Sequence, residues 1–223
     1  MTTGALDKTA VVDIVVKIGG GVLAHTDHFD AALAAIGAAG RDRRLLVVPG
    51  GGPFADTVRD VDRRIGLSHD AAHWMALLAM DQYAHLIASR LTGSLLVTKR
   101  HEIGDALDSP VRRIPVLAPY RWLREADPLP HEWTVTSDSI SAWVAGRVDA
   151  RRLVLIKPPG ARLQLAHGTG TAASGFGEAA QNAAASELVD AHFPQALPAQ
   201  VRFLMVCADQ VDALRLALEG RSP

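Results

Sequence analysis

Short, nearly continuous apolar runs alternate along the chain with longer segments in which apolar residues recur at helical spacing. Runs that are apolar at almost every position are typical of strands covered on both faces, as in the parallel sheet of an α/β protein. Strands are predicted at residues 11–18, 45–49, 94–98, 111–118, 152–156 and 201–206. The run at 111–118 contains Arg112, Arg113 and Pro115, and we place it near an edge because proline cannot donate to a sheet ladder.

Helices are predicted between these runs. The first covers residues 29–39, where Phe29, Leu33 and Ile36 recur at helical spacing after a start signal at 25–27 and before Gly40 as a stop. Together with its flanking strands it forms a βαβ unit, which implies parallel strands and a right-handed crossover. Further helices are predicted at residues 53–64, 69–91, 120–125, 137–147, 178–189 and 209–218.

Capping signals mark the starts of three of these helices. Ser68 precedes the long helix, Ser137 or Asp138 is the predicted cap of the helix at 137–147, and Asp209 is the predicted cap of the last. The glycine- and threonine-rich segment 168–177 is predicted to be a mobile loop over the functional site.

The first apolar run ends in a lysine and three glycines. Burying an unpaired ammonium group is expensive, so Lys17 is expected at the strand's end, pointing into a cleft that holds negative charge. Directly after it, Gly19, Gly20 and Gly21 allow a tight turn that brings N–H groups close to a ligand, as in an anion-binding nest. The alternative is an ordinary glycine turn of an α/β domain.

A second glycine triplet follows the second run. Gly50, Gly51 and Gly52 precede Pro53, which suits the first turn of a helix. Glycines at a helix N-terminus expose free N–H groups at the positive end of the helix dipole, which favours a phosphate or another oxyanion. The pair of triplets predicts two anionic groups held face to face. Neither the dinucleotide fingerprint nor the P-loop pattern occurs.

Composition narrows the class of protein. With 223 residues, 48% of them apolar, the chain can bury a full core, and we expect one domain over residues 1–223. A net charge of −1 argues against nucleic acid or an anionic membrane as the main partner. The single cysteine excludes an internal disulfide framework. Because there is also no secretory signal and no apolar run of transmembrane length, the predicted location is the cytoplasm.

Lysine is rare in this chain, so a lysine at the end of a buried strand is less readily explained as an ordinary surface residue. The lysines are Lys8, Lys17, Lys99 and Lys157, and Lys157 again ends a predicted strand. Asp138 offers a carboxylate close to a helix start, where it could also serve only as an N-cap. Two glycine nests, two strand-end lysines and an aspartate suit phosphoryl transfer, in which catalysis is mostly positioning and neutralisation of dispersed charge. A carboxylate between two lysines would keep both charged and correctly aimed.

These motifs resemble those of the amino acid kinase superfamily, which includes acetylglutamate, carbamate, aspartate and uridylate kinases. The matching segments are Val16-Lys17-Ile18-Gly19-Gly20, Val48-Pro49-Gly50-Gly51-Gly52 and Thr136-Ser137-Asp138-Ser139, in this order. The resemblance extends over most of the chain. It implies an α/β three-layer αβα sandwich around a mainly parallel sheet of about eight strands.

The resemblance also implies a role for each motif. Lys17 would stabilise the transferring phosphoryl group, and Asp138 would organise the lysines, so that the catalytic set is Lys17, Asp138 and Lys157. The phosphates of ATP, bridged by Mg²⁺, would be held by Lys17, Gly19, Gly20, Gly21 and Lys157. The acceptor would be held by Gly50, Gly51, Gly52, Ser137 and Asp138.

Within the superfamily, residues 68–75, 133–143 and 187–190 look most like the small kinases of methanofuran-type cofactor synthesis. Those kinases phosphorylate 5-(aminomethyl)-3-furanmethanol phosphate to a diphosphate. The resemblance therefore implies an ATP-dependent kinase for a small phosphorylated acceptor, and related kinases are commonly homo-oligomers. One departure is Pro158-Pro159-Gly160, where many relatives have Thr-Asp after the later lysine. Two prolines remove two backbone donors, which predicts nucleotide binding that is altered, weakened or lost.

Other interpretations fit the same residues. The acceptor could instead be a carboxylate or a carbamate, or the protein could be a non-catalytic relative that binds nucleotide or an oxyanion, which the two prolines favour. His69 and His73 lie one helical turn apart and could ligate a metal. A polar face near the cleft or at a subunit contact is the favoured interpretation, so no metal site is predicted.

Overall fold

Residues 12–161 and 175–220 are described by a computed structural model of the chain. Their strands form one sheet in the order β3-β4-β2-β1-β5-β6, and every neighbouring pair is parallel. The strands are β1 Ile14–Ile18, β2 Leu45–Pro49, β3 Ser94–Val97, β4 Ile114–Leu117, β5 Arg152–Lys157 and β6 Arg202–Cys207. The parallel sheet agrees with the apolar runs in the sequence, because strands buried on both faces need no polar alternation.

The register places the two strand-end lysines on one face of the sheet. Lys17 pairs with Leu155 of the neighbouring strand, and Lys157 follows Leu155 by two residues. Side chains two residues apart on a strand point to the same face, so both lysines lie on one side at the carboxyl edge of the sheet. This is the edge at which parallel α/β sheets bind ligands.

Helices cover both faces of the sheet. They are α1 Thr26–Ala39, α2 Gly52–Ile65, α3 His69–Arg90, α4 Arg100–Asp108, α5 Tyr120–Ala126, α6 Ser137–Arg147, α7 Gly175–Ala185, α8 Phe193–Ala196 and α9 Val211–Glu219, with a 3₁₀ turn at Gly20–Ala24. One core contains Val15 with residues of α6, α7 and α8, and the other contains Val16 with residues of α1 and α9. The predicted αβα layering is confirmed. No helix of the described residues is long and apolar enough to cross a membrane.

Several sequence expectations need correction. The described residues form six strands rather than about eight; the higher number came from the resemblance, whereas the apolar runs numbered six. Helix α4 was missed, although its buried residues Ile103, Ala106 and Leu107 recur at helical spacing. The last helix begins after Gln210 without a side-chain cap, so Asp209 does not cap it. Helix α7 begins at Gly175 and ends at Ala185, earlier at both ends than predicted.

Two further expectations concern position in the chain. Strand β4 is second from the edge, between β3 and β2, so the prediction that it lies near an edge is correct although β3 is the edge strand. Of the predicted mobile loop, residues 168–174 lie outside the described residues.

Candidate active site

Lys17, Asp138 and Lys157 form one buried ionic cluster. The Lys17 Nζ lies 2.9 Å from Asp138 Oδ1, and the Lys157 Nζ lies 2.8 Å from Asp138 Oδ2. The three residues are only 5%, 6% and 9% exposed. The cluster has one negative and two positive charges, so it carries a net positive charge in a poorly solvated place, which favours binding of an anion.

The ionisation of the cluster follows from burial and the charges within it. Burial alone would raise the pKa of Asp138, but Lys17 and Lys157 outweigh it and hold the pKa below its usual value. Burial and the charge of Lys17 lower the pKa of Lys157, although Asp138 opposes the shift. Asp138 is therefore a carboxylate at neutral pH, with both oxygens engaged by ammonium groups.

The two glycine loops lie directly against each other beside this cluster. A Cβ on Gly20 would lie 2.4 Å from the Gly52 N, and one on Gly50 would lie 2.6 Å from the Gly20 N. Any side chain at these positions would force the loops apart. Glycine is therefore required at Gly20 and Gly50 by the close approach of two backbones.

The backbone N–H of the first glycine in each loop bonds to a neighbouring strand and is not free to bind a ligand. The Gly19 N donates to Ile156 O at 2.9 Å, and the Gly50 N donates to Ile18 O at 2.8 Å. The N–H groups of Gly19 and Gly50, expected to face a ligand, are therefore already engaged by the sheet. The glycines that line the adjacent cavity are Gly20, Gly21, Gly51 and Gly52.

A cavity of about 520 Å³ extends from the glycine loops between α2 and α3 to the segment that precedes α6. Its inner end is lined by the glycines and Ser137, and its middle by apolar residues such as Leu77, Met80 and Ile140. Its outer end is lined by charged and aromatic groups, namely Asp56, Arg59, Asp62, His69, His73, His131, Glu132 and Trp133. The volume suits a small molecule.

A histidine pair forms part of the outer end. The rings of His73 and His131 stack with their centroids 4.1 Å apart. The His131 ring nitrogens lie 2.6 Å from Asp70 Oδ1 and 2.8 Å from Asp127 Oδ1, and the hydrogen bond to Asp70 raises the pKa of His131. Burial and the charge of His131 lower the pKa of His73 to about 4, so His73 presents a neutral ring to the cavity at neutral pH.

Trp133 also lines the outer end of the cavity. Its indole Nε1 donates to Asp62 Oδ2 at 2.7 Å, and the Arg59 guanidinium lies 5.0 Å from the ring centroid. The Leu67 N donates to the other oxygen of Asp62 at 2.8 Å. Asp62 thus joins the end of α2 to the loop that carries Trp133, and the hydrogen bond from Trp133 helps to lower the pKa of Asp62.

The first turn of α6 carries Ser137 and Asp138. Thr136 is the N-cap, and its hydroxyl accepts from the Asp138 N at 3.4 Å, so the prediction that Ser137 or Asp138 caps the helix is wrong. The Asp138 side chain is instead occupied by the two lysines. Thr136 is itself held by Asp190, because its backbone N and its hydroxyl both donate to Asp190 Oδ2.

The two prolines after Lys157 lie beside the first glycine loop. A Cβ on Gly21 would lie 3.4 Å from Pro158 Cγ, and the turn continues through Gly160 at φ +74°. Pro158 therefore lies next to Gly21. It presents a pyrrolidine ring there, where another residue type would have a backbone N–H group.

The sequence model of the amino acid kinase family matches residues 14–157, which begin at β1 and end at Lys157. The chain belongs to the amino acid kinase family. This match spans more than half of the 223 residues and contains both glycine loops and all three members of the ionic cluster.

A relative with a named activity is the [5-(aminomethyl)furan-3-yl]methyl phosphate kinase of Methanocaldococcus jannaschii. It is 28% identical to this chain over 145 residues, which are 63% of this chain and 63% of that kinase. The match thus spans less than two thirds of the relative's length.

Solved structures of a uridylate kinase and a UMP kinase superimpose over nearly the whole chain. A uridylate kinase from Archaeoglobus fulgidus has a TM-score of 0.67 at 13% identity and covers 94% of this chain and 97% of its own. A UMP kinase from Ureaplasma parvum has a TM-score of 0.65 at 15% identity and covers 95% of this chain and 96% of its own. At these identities the likeness establishes the fold.

The structure places the three charged residues that the sequence nominated in one cluster, and it places four of the six loop glycines and Ser137 along the cavity beside it. Lys17, Asp138 and Lys157 touch, and Ser137 lines the cavity beside the second glycine loop. His69 and His73 also line the cavity, and no group of three potential ligands suited to a metal occurs among the residues described.

Sequence reasoning gave no role to Asp62, Asp190 or His131. Their partners are 51 to 71 positions away in the chain, apart from the short-range bonds of Asp62 to Leu67, of His131 to Asp127 and of Asp190 to His192. No local pattern marks such pairings. The only signal was a likeness of residues 187–190 to a group of small kinases, which carried no physical reason with it.

Proposed function

We propose that this protein is an ATP-dependent kinase that transfers the γ-phosphoryl group to the phosphate of a small phosphate monoester. The observation that carries the proposal is the Lys17-Asp138-Lys157 cluster beside two touching glycine loops. In-line phosphoryl transfer needs donor and acceptor phosphates held close together next to fixed positive charge. The cluster and the loops supply these two requirements.

The ionisation of Asp138 restricts the class of acceptor. A hydroxyl acceptor would need a general base to take its proton. Asp138 has a lowered pKa and gives one oxygen to each lysine, so it is poorly suited to that task. A phosphate monoester needs no base, because its second pKa is about 6 and an anionic oxygen is present at neutral pH.

In the proposed reaction an anionic oxygen of the acceptor phosphate attacks the γ-phosphorus of ATP. A new P–O bond forms as the bond to the β-phosphate oxygen breaks, and ADP leaves with the electron pair. Lys17 and Lys157 offset the charge that spreads over the transferring oxygens. Asp138 keeps the two ammonium groups aimed, since each is within 2.9 Å of its carboxylate.

The residues present fit an ATP phosphate chain. The N–H groups of Gly20 and Gly21 with the two lysines would hold it, and bound ATP supplies the phosphoryl group together with its Mg²⁺. Within the cluster the carboxylate oxygens of Asp138 are already paired with lysines. Magnesium would therefore be held through phosphate oxygens and water, as is common for this ion.

The cavity also has a charge polarity that suggests the shape of the acceptor. Its inner end is lined by glycines and by Ser137, which directly precedes Asp138 of the net positive cluster, whereas its outer end has three carboxylates and Arg59, which pairs with Asp56 at 2.9 Å. An acceptor with a phosphate at one end, a flat apolar centre and a protonated amine at the other end matches this arrangement. The substrate named for the Methanocaldococcus jannaschii relative, an aminomethylfuran methyl phosphate, has these three parts.

We therefore take [5-(aminomethyl)furan-3-yl]methyl phosphate as the first acceptor to test, with Asp62 and Glu132 facing its amine. Asp62→Asn should raise the acceptor KM about tenfold, equivalent to about 1.4 kcal/mol, with little change in the KM for ATP. Asp212→Asn, on the exposed face of α9, is the control. Equal KM values for Asp62→Asn and wild type would refute this orientation of the acceptor.

The test of the whole proposal combines binding and turnover. Calorimetry with Mg²⁺ and a non-hydrolysable ATP analogue is expected to show saturable binding that weakens in Lys17→Met. Lys99→Met is the matched control, because Lys99 also follows a strand but lies beside β3 at the far edge of the sheet. ADP release that depends on the acceptor phosphate, and that is lost in Lys17→Met only, supports the kinase.

Two results would point elsewhere. Turnover with carboxylate or carbamate acceptors, and none with phosphate monoesters, would show that the acceptor belongs to another class. Carboxylates and carbamates are also anionic at neutral pH, so they too would need no general base. Nucleotide binding without turnover on any acceptor would favour a non-catalytic binding protein, which the Pro158 ring beside Gly21 makes a specific alternative.

A further inference from the structure

We propose that Asp190 is a positioning residue of the active site, whose carboxylate fixes the first turn of α6 so that Ser137 faces the acceptor and Asp138 faces the lysines. Asp190 lies in the turn before α8, outside the segment that matches the family model. The inference rests on the proposed kinase function, because it assigns a role within that site.

The contacts of Asp190 are concentrated on one turn. Its Oδ2 accepts from the Thr136 N at 3.0 Å, from the Thr136 Oγ1 at 2.7 Å and from the Ser139 N at 3.0 Å. Its Oδ1 accepts from the Ser139 Oγ and from the His192 N at 3.2 Å. One carboxylate thus receives five hydrogen bonds, four of them from the turn that carries Asp138.

Four consecutive residues of this turn divide three tasks. Thr136 and Ser139 point back to Asp190, Ser137 lines the acceptor cavity, and Asp138 binds both lysines. The Thr136 hydroxyl links two of the tasks, since it donates to Asp190 and accepts from the Asp138 N. A shift of the turn relative to Asp190 would therefore move the acceptor contact and the lysine contact together.

Asp190 also contributes charge. Its carboxylate lies at the N-terminus of α6, where the helix dipole favours an anion. The groups that act on Lys157 are Lys17, Asp138 and Asp190: burial and Lys17 lower the pKa of Lys157, whereas Asp138 and Asp190 raise it. Asp190 thus supports the cationic form of a lysine that it does not touch.

A second carboxylate with similar bonds provides a matched control. The Glu102 Oε2 accepts from the Thr98 N, the Thr98 Oγ1 and the Lys99 N, and so holds the first turn of α4. Helix α4 packs on β3 and β4, away from the lysine cluster. Glu102→Gln therefore tests what is lost when a helix-start carboxylate is neutralised outside the site.

The kinetic experiment compares Asp190→Asn, Thr136→Val and Glu102→Gln with wild type in the full chain. Asn keeps the size of Asp and removes the charge, so folding is preserved better than with Ala. Displacing catalytic groups by about 1 Å costs about 100-fold, and we expect kcat to fall by about that factor in Asp190→Asn and by less in Thr136→Val. The alkaline limb of the kcat profile should also move to lower pH in Asp190→Asn, because Lys157 loses its proton more easily. Glu102→Gln should keep the kcat and the pH profile of wild type.

A measurement that needs no turnover separates this proposal from the kinase proposal. The chain has four lysines, Lys8, Lys17, Lys99 and Lys157, so NMR with ¹³C-labelled lysine gives few signals to assign. We expect the Lys157 signal to titrate at lower pH in Asp190→Asn than in wild type, and to be unchanged in Glu102→Gln. An unchanged Lys157 titration in folded Asp190→Asn overturns the positioning role. A wild type that turns over no acceptor, with the expected Lys157 shift, would instead reject the kinase alone.

Discussion

Replacing Asp138 by asparagine would remove the one negative charge from a buried cluster of three ionic groups. The asparagine side chain would keep the shape and one acceptor oxygen, but Lys17 and Lys157 would be left as two ammonium groups without a counter-charge. Removing one partner from a buried ion pair typically costs about 3–5 kcal/mol. Because asparagine still accepts from one lysine, we expect a loss near the lower limit, about 3 kcal/mol at pH 7.

The pH dependence of this loss has a definite sign. The pKa of Lys157 in the folded protein is already below the usual value for lysine, and it falls further when the carboxylate is removed. Between the folded and unfolded pKa values the unfolded chain binds more protons, so stability rises with pH in that window. The deficit of Asp138→Asn should therefore shrink between pH 7 and about pH 9.5, as the folded variant releases a proton.

The assay is urea unfolding followed by far-ultraviolet circular dichroism at both pH values, with wild type and Asp212→Asn in parallel. Asp212 forms an exposed pair with Arg215 at 3.1 Å, and its replacement should change stability very little at either pH. A deficit below about 1 kcal/mol for Asp138→Asn, or one equally large at both pH values, would falsify the view that the cluster is a buried and mutually dependent set of charges.

Three further outcomes follow from the structure. Gly20→Ala would place a methyl group 2.4 Å from the Gly52 backbone and should reduce turnover about 100-fold, because the two loops would be pushed apart. Steady-state kinetics tests this, with Gly177→Ala as the control, since a Cβ added at Gly177 meets nothing within 4 Å. Normal activity of Gly20→Ala would contradict the close approach of the loops. Tyr83→Phe should raise the free energy of unfolding by about 1 kcal/mol, because the buried Tyr83 hydroxyl has no hydrogen-bond partner among the described residues; a loss of stability in urea unfolding would show that it has one in solution. His131→Gln should destabilise the protein most below the unfolded pKa of about 6.5, and the thermal-melting difference from wild type should shrink as pH rises through the raised pKa of His131; a difference that grows with pH would refute this.

The sequence predicted site residues best where a residue type is unfavourable at its position, such as a charged side chain at the end of a buried strand. It is costly to place a lysine at the end of an apolar strand, and it is unusual to find three consecutive glycines directly after one. Lys17, Lys157 and both glycine triplets could be predicted as site residues for this reason. Parallel strands were legible because burial on both faces removes the polar alternation. These features depend on neighbours in the chain or on a single side chain's cost of desolvation.

Details of hydrogen bonding at helix starts were predicted less well. Asp138 has the residue type and position of a cap, yet its side chain binds two lysines, and Thr136 takes the capping position. Propensity alone cannot choose between a backbone N–H and a distant ammonium group as the partner of a carboxylate. For the same reason Gly19 and Gly50 looked like free donors, although both close the sheet.

By itself the sequence determined the class of fold and identified the two strand-end lysines, the two glycine loops and Asp138 as the candidate counter-charge of the lysines. Only the tertiary structure decided which face the lysines share, which glycines line the cavity, and that Asp190, Asp62 and His131 hold the site's walls. The physical reason is range: strand type and desolvation are set by a few consecutive residues, whereas these carboxylate and histidine contacts join positions 51 to 71 residues apart. Such pairs exist only after the sheet and its helices have brought distant segments together.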